Sequence, residues 1–334
     1  MIMPARSRFS SWFRSPAPTV GVEISARRVT AVVLDRQADR FSIMGHASEL
    51  LPDGAVVPAL ATPNLVQKDV VARAVKSVLQ QVGARSPRVA LVVPDGAAKV
   101  SLVKFDKVPA RQDDLAQLVR WQVKKSVPFP LEQAQISWSA GVVDAAQGRE
   151  FIVAIARRDV IEEYEGACIA AGASPGVVDL ATFNLINVAL MSDPALITAR
   201  TPDGSPVDWL LVHVGADSST IVVVRGADVI FFRNRPGESE GRLSDLVHQT
   251  AMYYEDRLGG RGFTRAFVSS RDLPAEAVGD VAVLAQSLAE RVGDAVQVLD
   301  VRAAAALTDR IAPQPELLST LAAPVGIVLR EAEA

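Results

Sequence analysis

Two short stretches carry residue types suited to handling phosphate. Residues 209–232 read WLLVHVGADSSTIVVVRGADVIFF, an apolar run broken by the small polar turn Gly215-Ala216-Asp217-Ser218-Ser219 and followed by a second apolar run. Backbone amides in such a turn can surround an anion, and glycine lets the main chain come close. Gly215, Asp217, Ser218, Ser219 and Thr220 are the candidate contacts. The chemistry on offer is the binding, and with magnesium the splitting, of a nucleotide. His213 stands where such a hairpin usually places a metal-handling carboxylate. Magnesium prefers carboxylate and water oxygens, so His213 is expected as a satisfied, inward-facing strand residue.

Residues 20–35, VGVEISARRVTAVVLD, align with 210–225, LLVHVGADSSTIVVVR, without a gap. Glu23 falls on His213, Ser25 on Gly215, Ala26 on Ala216 and Thr30 on Thr220. Ser25, Ala26, Arg27 and Arg28 form the matching candidate turn, and either arginine could contact phosphate or stay a solvated turn residue. A shared hairpin at this spacing predicts two related domains, each opening with its own phosphate-type hairpin and facing the other across a cleft.

Between and after the hairpins, helical and strand patterns alternate, as in an α/β protein. An amphipathic helix is expected over 67–82, a buried strand over 88–94, an alternating strand over 99–109 and a helix over 111–127 closed by Pro128 and Pro130. Strand, strand, helix and a strand running into a helix follow to residue 191. The segment 202–208 is a turn-rich linker. A helix ended by Gly259, the strand RAFVSS, the helix VAVLAQSLAERVG, the strand AVQVLD and closing helices complete the chain.

With 35 basic and 38 acidic residues, the chain lacks the basic excess of a general nucleic-acid binder. Its single cysteine, Cys168, excludes an internal disulfide and is expected as a buried, inert thiol. No run is apolar for long enough to span a membrane. The start, MIMPARSRFSSWFRSPAP, lacks the apolar core of a signal peptide. Arg6, Arg8 and Arg14 surround Phe9, Trp12 and Phe13, so residues 1–18 are either a flexible basic and aromatic tail or a foothold on an anionic membrane surface. No Walker-type loop or Gly-x-Ser-x-Gly elbow occurs, and His46, His213 and His248 lack metal-ligand spacing.

LVRWQVKKSVPFPLEQ, in which Arg120-Trp121 precedes the corner Pro128-Phe129-Pro130-Leu131-Glu132, resembles the actin-like type IV pilus assembly protein PilM family, relatives of the cell-division protein FtsA. FIVAIARRDVIEEYEGACIAAGASPGVVDLATFNLINVAL, AERVGDAVQVLD and LAAPVGIVLR are similar to the family as well, so the likeness runs from about residue 19 to about 331. It implies an actin-like (ASKHA) two-lobed α/β fold with the extra subdomain of the FtsA/PilM type. The first lobe would span 19–200 with the small subdomain inserted at about 97–170, and the second 201–334. It also implies a cytoplasmic adaptor, peripheral at the inner membrane, that docks the N-terminal tail of a PilN-like membrane protein within the pilus assembly complex. The type II secretion protein GspL has a similar lobe.

In the family both hairpins carry Asp-x-Gly. Here the positions hold Glu23 and Ser25, and His213 and Gly215. Ser269 and Ser270 stand where the family's adenosine-side motif has paired glycines. All three departures point to a degenerate nucleotide site, with no hydrolysis and no catalytic residue, although ATP with magnesium is the cofactor the fold could take. Two other functions remain open: an ATP-binding switch whose nucleotide state modulates partner binding, and an actin-like small-molecule kinase, which needs a carboxylate base and intact phosphate turns. For the partner surface, Trp121 points away from the apolar stripe of its helix. Phe129, Pro130 and Leu131 present a rigid corner, and the resemblance places the tail in a groove between subdomain and first lobe. Self-association is open to an actin-like fold.

Overall fold

The two aligned hairpins open two sheets of one topology. The structure, a computed structural model, describes residues 17–37, 40–144, 148–237, 243–272, 285–286, 288–289, 296–308 and 311–333. Val20–Ile24 (β1), Arg28–Gln37 (β2) and Arg40–Leu50 (β3) form an antiparallel meander. Arg88–Val93 (β4) joins β1 in parallel, and Ser174–Leu180 (β8) joins β4. In the second sheet Asp208–Val214 (β9), Ser218–Arg225 (β10) and Asp228–Pro236 (β11) repeat the meander, with Arg265–Ser270 (β12) and Val296–Val298 (β13) added in parallel. The orders β3-β2-β1-β4-β8 and β11-β10-β9-β12-β13 correspond strand for strand. Every residue of β1 and β9 is buried, as central strands covered on both faces require.

A third sheet, in the order β5-β7-β6, is built from Ala98–Phe105 (β5), Ala134–Asp144 (β6) and Gly148–Arg157 (β7). One face is covered by the helix Gln112–Val123 (α2), whose Leu115, Val119 and Val123 pack on Phe151, Val153 and Ile155. The helix stops at Val123, short of the expected 127. Ser126 donates to the Val123 carbonyl through both its backbone N–H (2.9 Å) and its Oγ (2.7 Å), and Pro128 disfavours helical backbone at Val127. The helix Lys68–Gln81 (α1) buries Val71, Ala74, Val75 and Val78, the stripe its sequence spacing predicts.

Two boundaries differ from the sequence expectation. The helix Arg158–Ala170 (α3) falls inside the expected insertion of 97–170, yet its Val160, Tyr164, Ala167 and Cys168 belong to the core on the six-stranded sheet. The separate layer therefore closes at Arg157. Burial also pushes the Cys168 thiol up to about 12, the inert state expected of it. The expected second lobe of 201–334 gives its last part back to the first. Ala306–Leu307 (β14) pairs in parallel with β3, and, beyond the helices Ala195–Thr198 (α5) and Leu243–Leu258 (α6), the helix Pro315–Glu333 (α7) packs on β1, β2 and β4. Its Leu321, Ala322, Ala323, Val325, Ile327 and Leu329 are all buried, so its apolar surface is satisfied only between sheets. The tail at 1–16 and most of the expected helix VAVLAQSLAERVG lie outside the described residues.

With the helix Ala181–Ser192 (α4), α7 forms a layer between the sheets, and one continuous core joins Val32, Ala90 and Val92 to Trp209, Leu211 and Val222. The approach is backbone to backbone. A Cβ on Gly21 would lie 2.1 Å from the Pro324 carbonyl oxygen, and one on Gly326 would lie 2.1 Å from the Asn184 carbonyl oxygen. Gly326→Ala is therefore expected to force α7 off α4 and cost about 1–3 kcal/mol. Urea titration should show a lower midpoint at unchanged slope.

Candidate functional site

The two hairpin turns are superimposable in their hydrogen bonding. In the first, the Ser25 N–H donates to the Arg28 carbonyl at 2.8 Å, and in the second the Gly215 N–H donates to the Ser218 carbonyl at 2.8 Å. Glu23 pairs across its hairpin with Thr30, and His213 with Thr220. The gapless alignment of the sequence is thus the alignment of the structure.

Polar side chains from both sheets meet between these turns. Asp95 follows β4 and is buried. Its Oδ1 accepts from the Thr182 N–H at the start of α4 (3.0 Å), and its Oδ2 accepts from the hydroxyls of Thr182 and of Thr220 on β10 (2.8 Å). Asn234 of β11 donates to the Thr220 hydroxyl at 2.9 Å. Glu23 on β1 forms an ion pair with Arg271, the residue after β12, and both side chains are buried. Alongside, Arg28 Nε donates to Asp272 Oδ1 at 2.8 Å, and Ser25 Oγ to Asp272 Oδ2 at 3.4 Å. Asp272 holds a left-handed backbone (φ +52°), an uncommon conformation for a residue other than glycine. Each ion pair crosses from one sheet to the other, with opposite polarity.

Burial raises Glu23 above the ordinary carboxylate range, opposed by the Arg271 guanidinium. Burial raises Asp95 and Asp217 as well, opposed at Asp95 by its hydrogen bonds and at Asp217 by Arg271. His213 is pushed down to about 3 by burial and then by Arg271, so its imidazole is neutral. It faces inward as expected, but it is not satisfied: His213 Nδ1, Ser269 Oγ and Glu23 Oε1 are buried without a hydrogen-bond partner.

Of the predicted phosphate contacts, Ser25, Arg28, Gly215, Asp217, Ser218 and Thr220 gather at this cleft. Ala26 is buried in its turn, and Ser219 alternates to the opposite face of β10 from Ser218 and Thr220. Arg27 turns away and pairs with Asp53 at 2.8 Å on the surface. Asp95, Thr182, Arg271 and Asp272 escaped the sequence reading. The signal was present in Pro94-Asp95-Gly96 directly after a buried parallel strand, and in Arg271-Asp272 directly after RAFVSS.

A magnesium site needs free carboxylate oxygens. Glu23 Oε2 is taken by a guanidinium while its Oε1 has no partner, and Asp95 is hydrogen-bonded at both oxygens. Among the described residues no three acidic, histidine or cysteine side chains converge to hold a metal. Asp217 adds an acid to the second turn, where it accepts from Ser218 Oγ at 3.2 Å.

A second concavity lies on the other face of the three-stranded sheet from α2. It is a cavity of about 210 Å³ lined mainly by apolar groups, among them Trp138, Ile152, Ala154, Phe183 and Ile186, with Asp179 and Arg330 ion-paired at its wall. Two sheet edges flank it, because β6 ends the three-stranded order and β8 ends the six-stranded one. The tip of the β10–β11 hairpin, Ala227 to Val229, closes one side. Trp121 is 73% exposed on the outer face of α2, Pro130 is exposed, and Phe129 and Leu131 pack into the core beneath α2. None of the four lines this groove.

The model of the family described as type IV pilus assembly protein PilM matches residues 21–257. The structure of a PilM-PilN type IV pilus biogenesis complex superposes with a TM-score of 0.78 at 16% identity, over 96% of this chain and 100% of that one. A Bacteroides thetaiotaomicron protein with an actin-like ATPase fold gives 0.46 at 9% identity, over 95% and 99% of the two chains. The cytoplasmic domain of EpsL, an inner membrane component of the Vibrio cholerae type II secretion system, gives 0.48 at 10% identity, over 94% of each. The fold is the actin-like, two-lobed α/β arrangement expected from the sequence.

The neutral His213 makes a pH prediction. Its value is about 3 in the folded protein against an ordinary 6.5. The unfolded chain therefore binds the extra proton between those values, and the stability tied to neutral His213 is complete above pH 6.5 and lost as pH falls toward 3. Denaturant midpoints should drop through this window. His213→Gln, which cannot take up a proton, should flatten the drop.

Proposed function

We propose that this chain, which belongs to the type IV pilus assembly protein PilM family, works as a cytoplasmic adaptor that holds the extended N-terminal tail of a PilN-like inner-membrane protein and has given up nucleotide chemistry. The groove carries this reading. It is apolar, and it lies between the edge strands β6 and β8, whose outer backbone groups are free to pair. An extended peptide can add itself to such an edge while alternate side chains enter the apolar floor. A PilM-PilN complex is the partnership of the structural relative. No helix among the described residues is long and apolar enough to cross a membrane.

The cleft supports the second half of the reading. An ATP-driven switch needs a site that nucleotide can enter, and here the carboxylates are already neutralised or hydrogen-bonded by the chain itself.

Fluorescence anisotropy with a peptide of the PilN-like partner's cytoplasmic tail tests the groove. Ala154→Glu, which places a charge on its floor, is expected to weaken binding at least tenfold with the circular dichroism spectrum unchanged. Trp121→Ala, on the far side of the subdomain, should leave affinity intact. Wild-type affinity in Ala154→Glu would remove the groove from the function. Calorimetric titration with magnesium-ATP should show no binding in the millimolar range, and micromolar binding would restore the switch.

A further inference from the structure

We propose that Arg271 is the resident cation of the interlobe cleft, a side chain that neutralises the carboxylates there and holds the lobes closed without nucleotide or metal. Its side chain is only 8% exposed. Its backbone N–H is fixed to the Val214 carbonyl at 3.1 Å, beside the second hairpin turn, while its guanidinium pairs with Glu23 of the first hairpin. Asp217 and Asp272 also lie within its field. Arg271 thus pairs directly with Glu23 and feels the charges of two further acids, while Asp272 makes its own ion pair with Arg28.

The aligned positions explain why one arginine suffices. Glu23 and His213 are equivalents in the two hairpins. A neutral imidazole at 213 adds no negative charge to those of Glu23, Asp217 and Asp272, and of these Glu23 takes the guanidinium in a direct ion pair. The planar fork of the guanidinium also spreads its donors toward several acceptors, which a point ion does not. That agrees with carboxylates arranged around Arg271 in no metal-binding cluster. The partnerless Glu23 Oε1, His213 Nδ1 and Ser269 Oγ belong to the same neighbourhood. They are the remaining acceptors and donors of a polar centre whose charge is already met.

The inference deepens the reading of the cleft as closed to nucleotide. Its readout is stability, so it fails or stands independently of peptide docking and of nucleotide titration. Thermal unfolding of the full chain, free of nucleotide, compares wild type with Arg271→Ala, Glu23→Gln and the double variant. Removing one partner leaves a buried charge unmatched, so Arg271→Ala is expected to melt roughly 5–10 °C lower. Adding Glu23→Gln should recover part of that loss, because the carboxylate that paired directly with Arg271 is then gone. Millimolar methylguanidinium should raise the Arg271→Ala midpoint more than sodium chloride of equal ionic strength. An Arg271→Ala protein as stable as wild type would overturn the proposal. So would additive losses in the double variant with no rescue by methylguanidinium. Should Arg271→Ala not fold, the same cycle with Arg271→Lys gives the coupling, and a coupling of zero overturns the proposal equally.

Discussion

The structure depends on the closeness of α7 to the strands and helix it lies between. At Gly21 and at Gly326 main chain rests on main chain, with no room for a methyl group. Because the two sheets share the core that α4 and α7 fill, the hairpins at the ends of β1 and β9 are held at a set separation. That separation is short enough for a glutamate on one and an arginine beside the other to meet. The α4 helix adds to this directly, since its first turn supplies the Thr182 N–H and hydroxyl that engage Asp95. Packing thus decides which polar groups can pair, and the ion pairs make the arrangement specific. Buried pairs rarely add much net stability over apolar packing, but an unmatched partner is costly. The cleft is better understood as selecting one lobe arrangement than as supplying the energy for it.

Polarity in the cleft follows the same economy. Asp95, Glu23, Asp217 and Asp272 are all withdrawn from water, and each has a donor or a cation from the other lobe or from its own turn. Glu23 and Asp272 are met by Arg271 and Arg28, Asp95 and Asp217 by hydrogen bonds, and His213 stays neutral among them. The left-handed Asp272 fits this picture, because turning the chain there directs successive side chains, Arg271 and Asp272, toward opposite partners on the first hairpin.

Much of this was legible before the structure. The gapless match of 20–35 with 210–225 predicted equal strand registers, and those registers hold to the residue. Short-period patterns also placed α1 and the buried β4, because burial on one or two faces leaves its mark within a few residues. What could not be read were the pairings made at long range. Arg271 and Asp272 look like an ordinary strand-to-loop exit, and only tertiary structure brings them to Glu23 and Arg28, more than two hundred residues earlier. The return of the C-terminus was hidden because β14 is two residues long and α7 is apolar on all sides from Leu321 to Leu329, which specifies burial but not the lobe in which it occurs. Trp121 was rightly read as lying off the core face of its helix. Its distance from the groove follows from which side of the small sheet α2 covers, and no periodicity encodes that.

The groove and the cleft are linked by this architecture in one respect that bears on an adaptor. The groove wall includes β8, α4 and Arg330 of α7, and the β10–β11 tip closes it from the second lobe. Its shape therefore exists only while the two lobes hold their relative position. A nucleotide-driven protein obtains that position from its ligand and loses it on release. Here the shared core of α4 and α7 sets it, and the Glu23–Arg271 and Arg28–Asp272 pairs make it specific, so on the proposed reading the groove is formed in advance of a peptide. A preformed site spares the peptide the ordering cost of assembling it. On the proposed reading, a protein that holds an extended tail gains more from a fixed groove than from a cleft that opens.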